Sequence, residues 1–279
     1  MESWLEDIRF ESPGPVRRFV RAALVNPVAN STPPELLKYV LRITKSELAA
    51  ANWQDPGGWK SMVITYDGKP RQWADKVLVG TGTMAMALRN RRRLAGRLLA
   101  RLIDAAQADP VHVVGLGAGP GQITIDALLE ANCTAKATLV DISADAFEFG
   151  RNLAEDCGLG DRVTYLQGDA RELAKYMIGP AHIVTMLGLC EYIPDELLAV
   201  LAAAAHRLLP PGAPLVFNSL SHAHGTDRFF RRVFGLHMIH RSPAVIRDLM
   251  ASAGFGGFVS HPEPLGVYHV IVGRSRTQC

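Results

Sequence analysis

Three glycines at alternate positions, Gly117, Gly119 and Gly121, stand in the stretch "VHVVGLGAGPGQ" (residues 111–122), between an apolar run and a helix-like one. Glycine lets a backbone approach a ligand closely and adopt φ angles barred to other residues. Such a turn is the usual start of a nucleotide site. The NAD fingerprint GxGxxG fails in each register, because Pro120, Gln122 and Thr124 occupy the third-glycine position for starts at Gly115, Gly117 and Gly119. No lysine follows to make a phosphate-binding P-loop. Two acids extend the pattern. Asp141 ends "ATLVDIS", 20 residues after Gly121, and Asp169 lies in "LQGDARE". At a strand's carboxyl end, the first could accept hydrogen bonds from two ribose hydroxyls and the second could read an adenine amino group. Taken alone, either also reads as a helix cap.

Other polar groups cluster later. "GLCEYIPDE" carries Glu191 and Tyr192, and "FNSLSHAH" carries Asn218, Ser219 and Ser221. "SHAHGTD" and "HMIH" supply His222, His224, Asp227, His237 and His240 at spacings that could ligate a metal. No further ligands are apparent, so these histidines are expected to face solvent or cap helices, and no metal is expected.

The elements that must position these groups change in rhythm at Pro110. Before it the chain reads as mostly helical. "STPPELLKYVLRITKSELAAANW" is expected to start at Ser31 or Thr32 as cap, with prolines in the first turn. "QDPGGWKSMVITYDGKPRQW" suggests a short hairpin, and residues 84–108 return to helical spacing. After Pro110, short apolar runs alternate with helical stretches, which predicts an α/β fold with a mostly parallel sheet covered on both faces. The tail, "GFVSHPEPLGVYHVIVGRS", reads as two strands with no helix between, hence an antiparallel hairpin. The expected division is a helical cap over residues 1–93 and a core over 94–279.

Composition sets the class. With 279 residues, 48% hydrophobic and 20% charged, the chain suits a soluble globular enzyme. A net charge of +3 argues against a nucleic-acid partner, and the arginines of "RNRRR" and "FFRRVF" read as a solvated helix face. "MESWLEDIRF" lacks the pattern of a signal peptide, and no apolar run of ~18 residues suggests a membrane span. Cys133, Cys157, Cys190 and Cys279 are scattered, as in a reduced, cytoplasmic protein without disulfides or zinc. Oligomeric state is not legible.

At this point the sequence resembles the class I S-adenosylmethionine (SAM)-dependent methyltransferases, over residues 94–274. The resemblance rests on "GLGAGPG", "LVDIS", "LQGDARE" and "HIVTMLGLCEYIPDE". It implies a Rossmann-like, seven-stranded sheet with SAM over the carboxyl edge of the first strands. Gly117, Gly119 and Gly121 would lie against SAM, Asp141 would hold the ribose, and Asp169 with Ala170 would border the adenine. Ala118, Ile142 and Leu187 complete the implied cofactor-facing set. The amino-terminal helices have no counterpart in the family core and are expected to form a lid, with Trp53, Trp59 and Tyr66 as its candidate aromatics or as ordinary core.

One position departs from the family pattern, acid-x-G-x-G-x-G. Its acid helps hold SAM's amino group, and here that place is Gly115. Without an adjacent carboxylate the amine's pKa should fall, and a neutral amine is a nucleophile. Alternatively water or another acid, such as Glu191, serves the amine. Tyr192 could set its ring face against the sulfonium. Asn218, Ser219 and Ser221 could bond the amino or carboxylate group, or the serines could cap a helix. Together these look like the azetidine-2-carboxylate synthases, in which SAM's amine attacks its own γ-carbon and methylthioadenosine leaves. That branch implies roles for a tyrosine and a serine at Tyr192 and Ser219. Two other readings stay open: a methyltransferase acting on a small-molecule or natural-product acceptor, and a SAM-binding protein without turnover.

Overall fold

The apolar runs after Pro110 become the strands of one seven-stranded sheet in the computed structural model, which describes residues 3–176 and 178–277. They are β1 (Val111–Leu116), β2 (Ala135–Asp141), β3 (Val163–Gln167), β4 (Ile183–Met186), β5 (Pro214–Leu220), β6 (Phe255–Pro262) and β7 (Tyr268–Ser275). Their order is β3-β2-β1-β4-β5-β7-β6. The first five are parallel, with Gly115 opposite Leu139 on one side and Thr185 on the other. Helices Gln122–Glu130, Ala144–Asp156 and Asp195–Leu208 link parallel neighbours, because parallel strands need crossovers.

β7 runs against β5: the Gly212 amide donates to Ser275 O (2.8 Å), and the Ser275 amide to Ala213 O (2.9 Å). β6 and β7 form the antiparallel hairpin the tail pattern predicts. Every residue of β1 and of β5 is buried, as expected of strands covered on both faces. Val114, Val184, Met186 and Phe217 pack with Leu198, Leu201 and Ala205 of the helix Asp195–Leu208 in one apolar cluster.

The chain divides into two compact units. One comprises Met1–Arg92, Ser221–His240 and Pro262–Tyr268; the other comprises Arg93–Leu220, Arg241–His261 and His269–Cys279 and contains most of the sheet.

Local expectations needed correction in the first unit. The helix Pro34–Ile43 starts after Pro33, with no side-chain cap. Ser31 ends the preceding helix, and the Thr32 hydroxyl donates back to Val28 O (2.7 Å). The hairpin is absent: Trp59–Asp67 is a helix stopped by Gly68 in the left-handed conformation, so the flanking glycines mark helix ends rather than a strand turn. The helix Thr83–Asp104 follows. On it, Arg89 and Arg91 are buried, not solvated. Burial demands partners for a guanidinium: Arg89 bonds Glu11, Thr65 O and Val79 O, while Arg91 bonds Tyr66 and lies over the Tyr268 ring. Among the described residues no helix is long and apolar enough to cross a membrane. Cys133, Cys157 and Cys190 take part in no disulfide among the described residues, and Cys279 lies outside the described residues.

Candidate functional site

The glycine turn follows directly from β1 and enters the helix Gln122–Glu130. Gly117, Gly119 and Gly121 have φ of +61°, +51° and +78°, angles that L side chains rarely adopt. A Cβ on Gly121 would also stand 2.2 Å from Leu139 Cδ1. Beneath the turn, the Tyr165 hydroxyl donates to Pro120 O (3.2 Å). Burial pushes that phenol up to about 12, against the opposing charge of Arg151, so it remains a donor.

Asp141, at the end of β2, reaches back to this turn. Its Oδ2 accepts from the Gly119 amide (2.7 Å) and its Oδ1 from the Ser143 amide (3.0 Å). A carboxylate has about four lone-pair directions, so the two bonds orient it and leave two for an incoming diol. Ile142 beside it is 74% exposed, an apolar side chain at the strand edge where a planar ring could rest. Asp169, after β3, caps the short 3-10 helix Ala170–Lys175 by accepting from the Arg171 amide (2.8 Å) and Arg171 Nε (2.6 Å). The Arg171 hydrogen bonds hold its carboxyl below the ordinary carboxylate value. Here the capping reading is realised, and Ala170 opens the capped turn.

β4 and β5 deliver the other candidates. Asn218 is fully buried between them: its Oδ1 accepts from the Gly188 amide (2.8 Å), and its Nδ2 donates to Glu191 Oε2 (3.1 Å). Glu191 and Ser219 are also buried, while Tyr192 and Leu187 are half-buried on the turn after β4. Thus Asn218 and Glu191, which the sequence offers separately, are directly paired. Ser221 is different. It belongs to the first unit, caps the turn His222–His224 and donates to Gly266 O (2.6 Å).

Sequence reasoning missed Arg241. This buried side chain donates to Cys190 O, to Ile193 O (2.8 Å) and to Asp195 Oδ1 (2.7 Å from Nε). It therefore clamps both ends of the turn that carries Glu191 and Tyr192. Its backbone forms a bridge with Leu220 at the end of β5. Nothing in "HRSPAV" announces such a role, since the partners lie 46 to 51 residues away in the chain.

Gly115 is packed as well as acid-free. A Cβ there would lie 2.9 Å from Leu139 Cδ2, 3.2 Å from Ala118 Cβ and 3.4 Å from Thr185 Oγ1. The register explains this crowding, because Leu139 and Thr185 are its partners on β2 and β4.

The histidines also differ from expectation. His222 and His237 are exposed, but His224 is buried, with Nε2 3.0 Å from His240 Nε2 and Nδ1 3.1 Å from Thr226 Oγ1. His222 stacks on His240 at 3.7 Å. Burial, aided by His240, pushes His224 down to about 4. No metal-binding group of three or more His, Cys, Asp or Glu occurs among the described residues. The candidate lid aromatics are engaged within the first unit: Trp53 Nε1 donates to Val233 O (2.8 Å), Tyr66 accepts from Arg91, and Lys60 lies over Trp59.

This parallel sheet with its antiparallel ending, and a glycine turn after the first strand, is the fold of the class I SAM-dependent methyltransferases. Residues 113–212 match the family described as "Methyltransferase domain". A ubiquinone biosynthesis O-methyltransferase from Methylococcus capsulatus is 33% identical over 108 residues, 39% of this chain and 43% of that protein. The chain thus aligns with less than half the length of that curated relative. A protein from Bordetella parapertussis shares the fold with a TM-score of 0.67 and 20% identity, over 78% of this chain and 79% of that one. Magnesium protoporphyrin IX methyltransferase from Synechocystis, solved with bound S-adenosylhomocysteine, gives 0.58 and 15% over 86% and 99%.

Proposed function

We propose that the chain is a SAM-dependent enzyme, and that it favours closing SAM's own aminocarboxypropyl chain to azetidine-2-carboxylate over methylating an acceptor. The residues suit SAM. Three left-handed glycines keep side chains out of the turn, Asp141 retains acceptor capacity for a ribose, and Ile142 offers an apolar edge. Asp169 and Ala170 would border the adenine, and Leu187 the opposite side.

The observation that carries the cyclase reading is Gly115. In place of a carboxylate that would hold the amine as a cation, Leu139, Ala118 and Thr185 close on the position. An amine without that partner loses its proton more readily. SAM supplies an electrophilic γ-carbon and a methylthioadenosine leaving group; ring closure forms one C–N bond, breaks one C–S bond and releases one proton from nitrogen. Water can take that proton, whereas Glu191, bonded by Asn218, is the acid that would hold the amine as a cation in the opposing case. Tyr192 would face the sulfonium without supplying a competing nucleophile, and Ser219 would bond the amino acid end. Alignment of such an intramolecular reaction can lower a barrier by about 7 kcal/mol or more. Residues 1–93 would serve as the lid.

A second reading, methyl transfer to a small-molecule acceptor, is favoured by the match of residues 113–212 to a methyltransferase domain and by the O-methyltransferase relative. Glu191 or Tyr192 would then orient or deprotonate the acceptor.

The experiment is purified protein with SAM alone, its products followed by mass spectrometry. Methylthioadenosine and azetidine-2-carboxylate above the spontaneous background, lost in Tyr192→Ala, support the cyclase. Intact SAM sinks it, and S-adenosylhomocysteine formed with an added acceptor supports the second reading. Gly115→Asp paired with Leu139→Val makes room for the acid; turnover should fall more than SAM affinity, and an unchanged rate removes the argument from Gly115.

A further inference from the structure

The second unit has a hollow at the amino edge of its sheet, opposite the glycine turn. His112 stands near the start of β1 and Gly117 just past its end, about 16 Å apart along the strand at the usual rise per residue. The strand register places the residues of this hollow. His112 is opposite Lys136, Thr138 opposite Thr164, and Val140 opposite Leu166. Paired residues point to the same side of a sheet and alternate residues share it, so these side chains lie on one face.

That face is thinly covered for a reason visible in the connections. Helices link β1 to β2, β2 to β3 and β4 to β5, but the crossover from β3 to β4 has only the short 3-10 turn Ala170–Lys175. Residues 178–182, which follow it, hold no helix or strand. A cavity of about 430 Å³ remains between them and the sheet, within the range of small-molecule sites. Its polar wall is His112, Lys136, Thr138, Thr164 and His182, and its apolar wall includes Leu166, Ile178 and Pro180.

Hydrogen bonds fix the histidines. His112 Nδ1 lies 2.9 Å from Pro180 O, which only accepts, so Nδ1 carries the proton and Nε2 accepts from the Thr138 hydroxyl (2.9 Å). The His112 amide donates to His182 Nδ1 (2.9 Å), which leaves the proton of the neutral His182 ring on Nε2. His112 is thereby saturated. Three donors remain around the cavity: His182 Nε2, the Lys136 ammonium and the Thr164 hydroxyl. Among the described residues none of the three meets an acceptor. No acid is among the described residues that line the cavity. Burial lowers His112 below the ordinary histidine value, and the like charges of Lys136 and His182 lower it further. Donors and cations facing an apolar wall favour a ligand with an anionic head and an apolar body.

We propose that this cavity binds a small organic oxyanion, a carboxylate or a phosphate monoester. Its charged head would meet Lys136, His182 Nε2 and the Thr164 hydroxyl, and its apolar part would rest on Leu166 and Ile178. The site is separate from the glycine turn, and the inference does not depend on which reaction the chain performs. Calorimetric titration of the purified chain with phenyl phosphate and with benzoate tests it. At least one probe should bind with a dissociation constant of ~1 mM or tighter, and the tighter of the two identifies the head group. Lys136→Met, at an exposed position, should weaken that binding at least ~10-fold and leave the affinity for S-adenosylhomocysteine unchanged. Thr164→Val, also exposed, should weaken it by a smaller factor. In nitrogen-15 spectra the His182 ring signals should move on titration while those of His224 stay. No binding of either probe up to ~10 mM would overturn the proposal. So would binding that Lys136→Met leaves intact, or that S-adenosylhomocysteine displaces.

Discussion

β1 and the helical stretch of residues 15–31 are both rich in valine and leucine, yet the chain uses them in opposite ways. All six residues of β1 are buried. None of the helical stretch is. β1 sits mid-sheet, where neighbouring strands satisfy its backbone and helices cover its faces. The helical stretch satisfies its own backbone and is held by asparagine side chains, so its most exposed apolar residues, Val16, Phe19, Leu24 and Val28, contribute little to the isolated protomer. Apolar periodicity thus fixes the type of element, while what covers that element depends on its neighbours.

The same substitution should separate the sheet, at β2 beside β1, from the helical stretch most sharply. Leu139→Ala, at a residue with no exposed area, should cost about 2–5 kcal/mol in urea unfolding and loosen the glycine turn that Leu139 supports. A smaller cost would mean that β2 packs less tightly than its burial implies.

Acid tests a second contrast, because each unit buries a histidine. His112 is satisfied by Pro180 O and Thr138 Oγ1 (2.9 Å each), whereas His224 meets another imidazole. Both values are lowered, chiefly by burial. A lowered histidine value means that the unfolded chain binds the proton first. Stability is therefore full above pH 6.5 and is lost as the pH falls, down to about 4 for His224. That loss amounts to about 3 kcal/mol. Phe230 and Thr226 line the ring, and His222, His240, Asp227 and Arg231 are the nearby charges. His224→Phe should flatten the difference in unfolding free energy between pH 7 and pH 4.5; an unchanged slope would assign it to other groups.

Arg241→Ala leaves two carbonyls and Asp195 without their shared donor, for about 1–3 kcal/mol. Because Arg241 acts through the turn bearing Glu191 and Tyr192, we expect kcat to fall with KM for SAM little changed, and Arg241→Lys to restore part of it. Equal loss in both constants would reduce the clamp to general stability. The smallest effect belongs to Leu24→Ala. Its unfolding free energy should change by no more than ~0.5 kcal/mol, and a larger loss would show that Leu24 is covered within the protomer.

Much of the sheet was legible. Each strand after Pro110 announced itself by a short apolar run between turn residues, and the lack of a helix in the tail foretold the antiparallel ending. The glycine turn was legible because residues other than glycine rarely accept those φ angles. The amino-terminal helices were harder. Gly57, Gly58 and Gly68 suggested a hairpin where they bound a helix, since glycine punctuates both. The buried arginines of "RNRRR" looked solvated because their partners, Glu11, Thr65 and Tyr66, lie 24 to 78 residues away.

The sequence by itself determined the order and type of the core elements, the glycine turn and the acids at the strand ends, since these follow from backbone sterics and side-chain period. Only the tertiary structure decided that Asn218 grips Glu191, that Arg241 clamps their turn, that Leu139 and Thr185 close on Gly115, and that the large apolar residues among 16–28 are exposed. Each of those depends on which distant residues arrive at a point in space, and local pattern carries no record of that.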